Sequence, residues 1–153
     1  MALTGKVSSE HVIKAPVEKW FNFFSNTLHH IPKVAERVHE ANLHQGDDWH
    51  TIDSVKNWTF IIEGKHVTLK EKIVASDESN KTITWNFHDG DLGKQYKVFL
   101  LTMKLEEKHD GSGNIVKWTI DYEKVNDNVD PPYAYLDFLN QCTKDFDAHL
   151  LKA

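Results

Sequence analysis

The stretch Pro131-Pro-Tyr-Ala-Tyr135-Leu-Asp-Phe-Leu139-Asn-Gln-Cys-Thr143-Lys-Asp-Phe146-Asp-Ala-His-Leu150-Leu-Lys-Ala153 decides the fold. Two prolines open it, and Tyr135, Leu136, Leu139, Thr143, Phe146 and Leu150 then recur at helical intervals. The spacing predicts one amphipathic helix of about twenty residues, roughly 30 Å long at 1.5 Å per residue. Upstream, from about residue 38 to residue 124, the period changes to two. Turn signals break that region at Gly46-Asp-Asp, Glu63-Gly-Lys, Asp77-Glu-Ser-Asn80, Asp89-Gly-Asp-Leu-Gly93 and Asp110-Gly-Ser-Gly113. Such breaks indicate antiparallel hairpins.

Alternation selects the inner faces of these strands. They are Trp58, Phe60, Ile62; Val67, Leu69, Glu71, Ile73; Ile83, Trp85, Phe87; Phe99, Leu101, Met103, Leu105; and Val116, Trp118, Ile120, Tyr122. Lys104, Glu106, Lys117, Thr119, Asp121 and Glu123 form the opposite, solvated face. At the start of the chain Leu3, Val7, Ser9, His11 and Ile13 share one parity, which predicts a further strand. Val17, Trp20, Phe21 and Phe24 follow at helical spacing after Pro16, and a second short helix is expected around Thr27–Arg37. The fold class is α+β: seven antiparallel strands, two short helices after the first, and one long helix at the end. One helix about 10 Å wide cannot cover a flat sheet of that size, so the sheet must curl around it. Three inward tryptophans at 58, 85 and 118 could fill the enclosed space; the alternative is an aromatic-walled cavity for an apolar ligand, of about 300 Å³ or more.

Composition narrows the functions. The 153 residues suit a single domain, with no repeat and no linker to divide residues 1–153. A net charge of −5 gives no general attraction to nucleic acid or anionic lipid. No apolar run approaches the length of a membrane span, and no leader is visible, so a cytoplasmic protein without membrane insertion is expected. The sequons at Asn57 and Asn80 then carry no glycan. Cys142 is the only cysteine, which excludes an internal disulfide and a Cys-rich metal site; it reads as a small core residue.

The ten histidines do not form a metal motif. His39-Glu-Ala-Asn-Leu-His44 misses H-E-x-x-H by one residue, His29 and His30 are expected to point apart, and His88 and His109 read as outward. No phosphate loop, dinucleotide fingerprint or nucleophile elbow is present, so neither a metal nor a cofactor is expected. Glu71 stands apart, because alternation points its carboxylate at the apolar interior. It must be neutral, hydrogen-bonded or wet there. It is the candidate general acid/base or polar anchor, with a pKa raised by desolvation, and Glu71→Gln is expected to affect a ligand more than the fold. His11 shares the inward parity of its strand and is a second candidate. Tyr122 and Tyr135 supply hydroxyls.

Several segments resemble the plant major latex proteins of the birch-pollen-allergen superfamily, alongside the pathogenesis-related class 10 proteins. They are Leu3-Thr-Gly-Lys6, Gly46-Asp-Asp-Trp49, Asp53-Ser-Val-Lys-Asn-Trp58, Gly90-Asp-Leu92, Trp118-Thr-Ile-Asp-Tyr-Glu-Lys124, Tyr135-Leu-Asp-Phe138, Thr143-Lys-Asp145 and His149-Leu-Leu-Lys-Ala153. The resemblance runs end to end and implies a helix-grip fold. It also implies an internal cavity for hydrophobic plant metabolites such as terpenoids, alkaloids, sterols or phenolics. Most members of the family are treated as carriers or defence-associated proteins, and a few are cofactor-free isomerases or cyclases. Where the superfamily often has several glycines after the second strand, this chain carries Asp47, Asp48 and Asp53, which argues against a phosphate cradle there and for a rim beside the cavity mouth.

Two functions follow as expectations. One is a monomeric binding protein for a hydrophobic metabolite; the other is a cofactor-free isomerase or cyclase working in the same cavity by holding a reactive conformation. The expected ligand-binding residues are Trp58, Phe60, Leu69, Trp85, Phe87, Phe99, Leu101, Trp118, Tyr122, Tyr135 and Leu139. Binding driven by apolar burial depends weakly on salt, whereas an anionic ligand would need lysines such as Lys56 or Lys97.

Overall fold

A computed structural model describes residues 2–108 and 113–152. Strand β1 (Thr4–Ile13) leads into helix α1 (Val17–Asn26), a 3₁₀ turn (Leu28–His30) and the single-turn helix α2 (Ile31–Val34). Strands β2 (Val38–Gln45), β3 (Val55–Ile62), β4 (Lys65–Asp77) and β5 (Thr82–His88) follow. A short helix α3 (Gly90–Gly93) precedes β6 (Tyr96–Glu107) and β7 (Asn114–Lys124), and α4 (Tyr133–Lys152) ends the order. The strands form one antiparallel sheet in the order β1-β7-β6-β5-β4-β3-β2. His109 and most of the Asp110–Gly113 turn lie outside the described residues.

The connection from β1 to β2 therefore crosses from one edge of the sheet to the other, and α1, the 3₁₀ turn and α2 make that crossing. The second helix expected around Thr27–Arg37 is split. Its first turn is 3₁₀ and Ala35 leaves the helix in an extended conformation, so only Ile31–Val34 is α-helical. Helix α3 was not expected; its start, Gly90, has φ +62° and an added Cβ there would lie 2.5 Å from the Thr68 carbonyl oxygen. Only glycine fits so close an approach of backbone to backbone.

Helix α4 buries Tyr135, Leu136, Phe138, Leu139, Cys142, Thr143, Phe146 and Leu150 against the curled sheet. Asp147 anchors its second half. The carboxylate accepts from the backbone N–H groups of Lys14 (2.8 Å) and Ala15 (2.9 Å) and from the Trp20 indole (3.1 Å). One carboxylate thus joins β1, α1 and α4. Strand β3 alternates without a break, with Lys56, Trp58, Phe60 and Ile62 buried. The presence of a lysine in that inner row is the first departure from an apolar core.

Candidate functional site

A void of about 60 Å³ lies between α4, the short helices and the concave face of the sheet. Its walls are Phe24, Leu28, Ile31, Val38, Trp58, Phe60, Glu71, Trp85, Phe87, Leu101, Trp118, Phe138, Leu139, Cys142 and Phe146. The expected space of about 300 Å³ is not there. The aromatic rings fill most of it: Phe60 stacks on Phe138 at 4.5 Å, and Phe24 meets Trp85, Trp118 and Phe146 within 6 Å. A benzene-sized guest occupies a cavity of about 150 Å³, so a larger ligand requires these rings to move.

Phe138 is placed to do so. It borders the void and also a surface cleft of about 320 Å³ formed by Arg37, Ile61, Ile62, Glu63, Gly64, Ala134, Asp137 and Gln141. Phe138 is thus shared by interior and cleft.

Of the expected ligand-binding residues, Trp58, Phe60, Trp85, Phe87, Leu101, Trp118 and Leu139 border the void. Leu69, Phe99, Tyr122 and Tyr135 do not. Periodicity assigns a face but not a position along the element: Leu69, Phe99 and Tyr122 lie elsewhere on the sheet, and Tyr135 lies in the first turn of α4. Phe99 packs between Phe87, Tyr96 and Tyr135. The Tyr122 ring covers Gly5 on β1, where an added Cβ would meet its hydroxyl at 2.4 Å.

Glu71 faces inward as its parity requires and is 2% exposed. Its Oε1 accepts a 2.9 Å hydrogen bond from the Trp58 indole, and its Oε2 lies 3.0 Å from the Lys56 ammonium, which is 0% exposed. Lys56 and Glu71 are directly opposite in the β3–β4 register. Lys56 also donates to the Ser54 carbonyl at 3.2 Å. Burial pushes the Glu71 pKa above the ordinary carboxylate value; the charge of Lys56 and the bonds from Lys56 and Trp58 oppose that rise. The expectation that Glu71→Gln spares the fold is corrected here, because that change leaves the Lys56 ammonium buried without its counter-charge. Lys56 was legible in the sequence, two residues before Trp58 on the same parity, yet lysine there reads as surface. It is not a free cation for an anionic ligand, and Lys97 lies 3.8 Å from Glu123 on the exposed face.

His11 is removed from the void. Its Nε2 lies 2.7 Å from Asn140 Oδ1, which also accepts from the Ser9 hydroxyl, so His11 fastens the edge strand β1 to α4. The rings of His29 and His30, expected apart, lie 4.1 Å from each other on the 3₁₀ turn. Among the described residues no three metal-ligating side chains gather at one point.

The loop between β2 and β3, expected as a rim, contributes no residue to the wall of the void but touches two wall residues, Trp58 through Trp49 and Leu28 through His50. Asp48 folds it by accepting from the backbone N–H groups of His50 and Thr51. His50 Nε2 then accepts from the N–H of Leu28, a wall residue, at 3.0 Å. Accepting requires an unprotonated Nε2, and burial followed by the charge of His29 lowers the His50 pKa. The rim is thereby tied to the short helices.

A concave seven-stranded antiparallel sheet closed on a long C-terminal helix defines the helix-grip class of folds. The match to the pathogenesis-related protein Bet v 1 family spans residues 2–153, and the chain belongs to that family. It is 37% identical to MLP-like protein 34 and 34% identical to MLP-like protein 31 of Arabidopsis thaliana, over 97% and 98% of its length. It covers 47% of the first of these relatives and 88% of the second, so it spans about half the length of the former. Major latex protein 146 of Papaver somniferum is 35% identical, covering 97% of this chain and 92% of the relative. The crystal structure of ginseng major latex-like protein 151 from Panax ginseng superposes with a TM-score of 0.90 at 34% identity, covering 98% of this chain and 99% of that one. Among the described residues no helix is long and apolar enough to cross a membrane.

Proposed function

We propose that the chain binds a small, uncharged, hydrophobic plant metabolite in the void beneath α4 and acts as its carrier. The observation that carries this reading is the void itself: its walls are almost wholly apolar and aromatic, and Phe138 is shared between it and an open cleft. Burying about 300 Å² of apolar ligand at 25 cal/mol per Å² offers roughly 7 kcal/mol before ordering costs, which limits affinity to the micromolar range. The test is titration with the neutral dye N-phenyl-1-naphthylamine. The wild-type chain is expected to enhance its fluorescence with micromolar affinity. Cys142→Leu, which adds volume at a wall residue, is expected to weaken binding at least tenfold while the chain stays folded. Equal binding by the two proteins, or none by the wild type, overturns the reading.

A second reading is supported by Glu71, a void-lining carboxylate whose pKa burial raises. A group so placed can move a proton to or from a bound substrate, and the same space can hold a reactive terpenoid or alkaloid intermediate for isomerisation or cyclisation without a cofactor. Incubation with such intermediates, followed by analysis of product isomers, separates the readings. Under this one, Glu71→Gln, measured per folded molecule because the change also leaves Lys56 without its counter-charge, lowers turnover by on the order of 10²-fold. Product ratios that match the protein-free reaction exclude it.

A further inference from the structure

The β2–β3 loop, residues 46–54, meets the wall of the void at two points. Trp49 is half-buried, and its ring stands edge-on to that of Trp58 at 6.1 Å. His50, also half-buried, accepts from the Leu28 N–H at 3.0 Å through Nε2. Leu28 opens the 3₁₀ turn, where the first N–H has no acceptor within the turn itself. Leu28 is buried, and among the described residues the His50 imidazole is the one acceptor of its N–H. A single ring thus holds the loop against the short helices.

The groups around His50 make that hold sensitive to acid. Its ring lies 5.8 Å from that of His29, which lies 4.1 Å from that of His30. The charges that act on His50 are those of His29 on the 3₁₀ turn, Asp48 on its own loop and Lys56 on β3. Lys33 of α2 and His30 act on His29. Lys56 is offset by Glu71, and Asp47 and Asp53 complete the ionisable groups of the loop. Three imidazoles therefore stand together and gain charge over neighbouring ranges of pH, so acid brings a mutual repulsion that is absent when they are neutral. Asp48 behaves differently. Hydrogen bonds from the Thr51 hydroxyl and from the backbone N–H groups of His50 and Thr51 hold its carboxyl below the ordinary carboxylate value, and the turn it folds persists where the imidazoles charge. Acid acts on the attachment of the loop and spares the loop's own turn.

We propose that the His50–Leu28 contact is an acid-released latch on the ligand site: protonation of His50 detaches the β2–β3 loop from the short helices and opens the void to exchange of its guest. The inference rests on the void's being a ligand site and goes further in giving that site a means of release. The proton enters at Nε2, the atom that accepts from Leu28. Two N–H donors then face each other, and neither has an acceptor in place. A buried amide without an acceptor is costly, so the turn and the loop separate until water reaches both. Separation draws Trp49 away from Trp58 and uncovers the wall beside Leu28. With His50 neutral the loop is closed, which leaves the cleft beside Phe138 as the other approach; acid adds the loop side.

N-phenyl-1-naphthylamine, which stays uncharged in weak acid, is the probe. Its dissociation is followed by stopped flow from pH 7 to about pH 5 for the wild type and for His50→Gln, whose side-chain oxygen can accept from Leu28 at any pH. Acid reaches other groups as well, Glu71 and the remaining histidines among them. Dividing the acceleration of the wild type by that of the variant removes what the two chains share. The quotient is expected to be about threefold, within the range of one hydrogen bond. In the wild-type chain the midpoint of the acceleration is expected to coincide with the titration midpoint of the His50 ring in the NMR spectrum. This measurement stands even where the variant does not fold. A quotient of one, or midpoints more than about one pH unit apart, overturns the latch while the ligand site stands. If the wild type binds no dye at pH 7, the ligand site itself fails and the inference with it.

Discussion

The interior has two aromatic regions of similar composition, and they are built differently. At one, Tyr96, Phe99, Tyr122 and Tyr135 pack ring against ring with centroids 5.1–6.1 Å apart. Two hydroxyls there are hydrogen-bonded: that of Tyr96 donates to the Asp130 carbonyl at 2.7 Å, and that of Tyr135 reaches Gln95 Oε1 at 3.4 Å. Burial holds both phenols un-ionised, with the Tyr135 pKa pushed up to about 12 and that of Tyr96 higher still. At the other, Trp58, Trp85 and Trp118 surround a void, a lysine and a glutamate are buried side by side, and one indole N–H is left over. The first region is filled ring against ring, whereas the tryptophan region keeps a void and an indole N–H unpartnered among the described residues.

The largest effect expected from breaking this contrast is at the ion pair. Lys56→Met leaves the Glu71 carboxyl buried without its counter-charge, at a cost of about 3–5 kcal/mol in chemical denaturation. The cost depends on pH. Because burial already raises the Glu71 pKa, the folded chain holds its proton where the unfolded chain has released it. The contribution of Glu71 to stability is therefore greatest below the ordinary carboxylate value and is lost as pH rises through the folded one. Removing Lys56 should steepen that fall, and a cost that is flat from pH 4 to pH 8 would show that the pair does not govern the site.

Phe99→Ala, in the filled region, should cost about 3–4 kcal/mol and leave the affinity for N-phenyl-1-naphthylamine within twofold. Phe138→Ala should cost a similar amount but accelerate dye association at least tenfold in stopped flow, since it joins the void to the cleft. Equal association rates for the two variants would show that Phe138 does not separate void from cleft.

A smaller difference is expected between two tryptophans of the void region. Trp118→Phe and Trp85→Phe each lose indole area, but only the first also breaks a buried hydrogen bond, leaving Thr143 Oγ1 with its donation to the Leu139 carbonyl alone. Trp118→Phe should therefore be the less stable by about 1 kcal/mol in thermal or urea unfolding. The smallest expected effect is that of acid on the rim. The lowered His50 pKa means that the His50–Leu28 bond contributes fully above the ordinary imidazole value. Its contribution is lost as pH falls through and below that range, because the unfolded chain takes up the proton first. Hydrogen exchange of the Leu28 amide should rise between pH 7 and pH 5 and become independent of pH in that interval, after correction for intrinsic rates, in His50→Gln.

Periodicity alone was enough for the α+β class, the strand count, the long terminal helix and the inward parity of Glu71. Those features repeat every two or 3.6 residues, and a repeat is visible in one dimension. The parity of Lys56 was equally visible, but its meaning depends on a carboxylate fifteen residues away that only the β3–β4 register places opposite it. His11 shows the same limit from the other side: its face was readable, its partner Asn140 was not. Which aromatic rings surround open space and which meet one another was decided by the tertiary structure, as was the sharing of Phe138 between void and cleft. Packing is a three-dimensional sum of side-chain volumes from all the helical segments but α3 and from six strands, and no local pattern in the chain carries that sum.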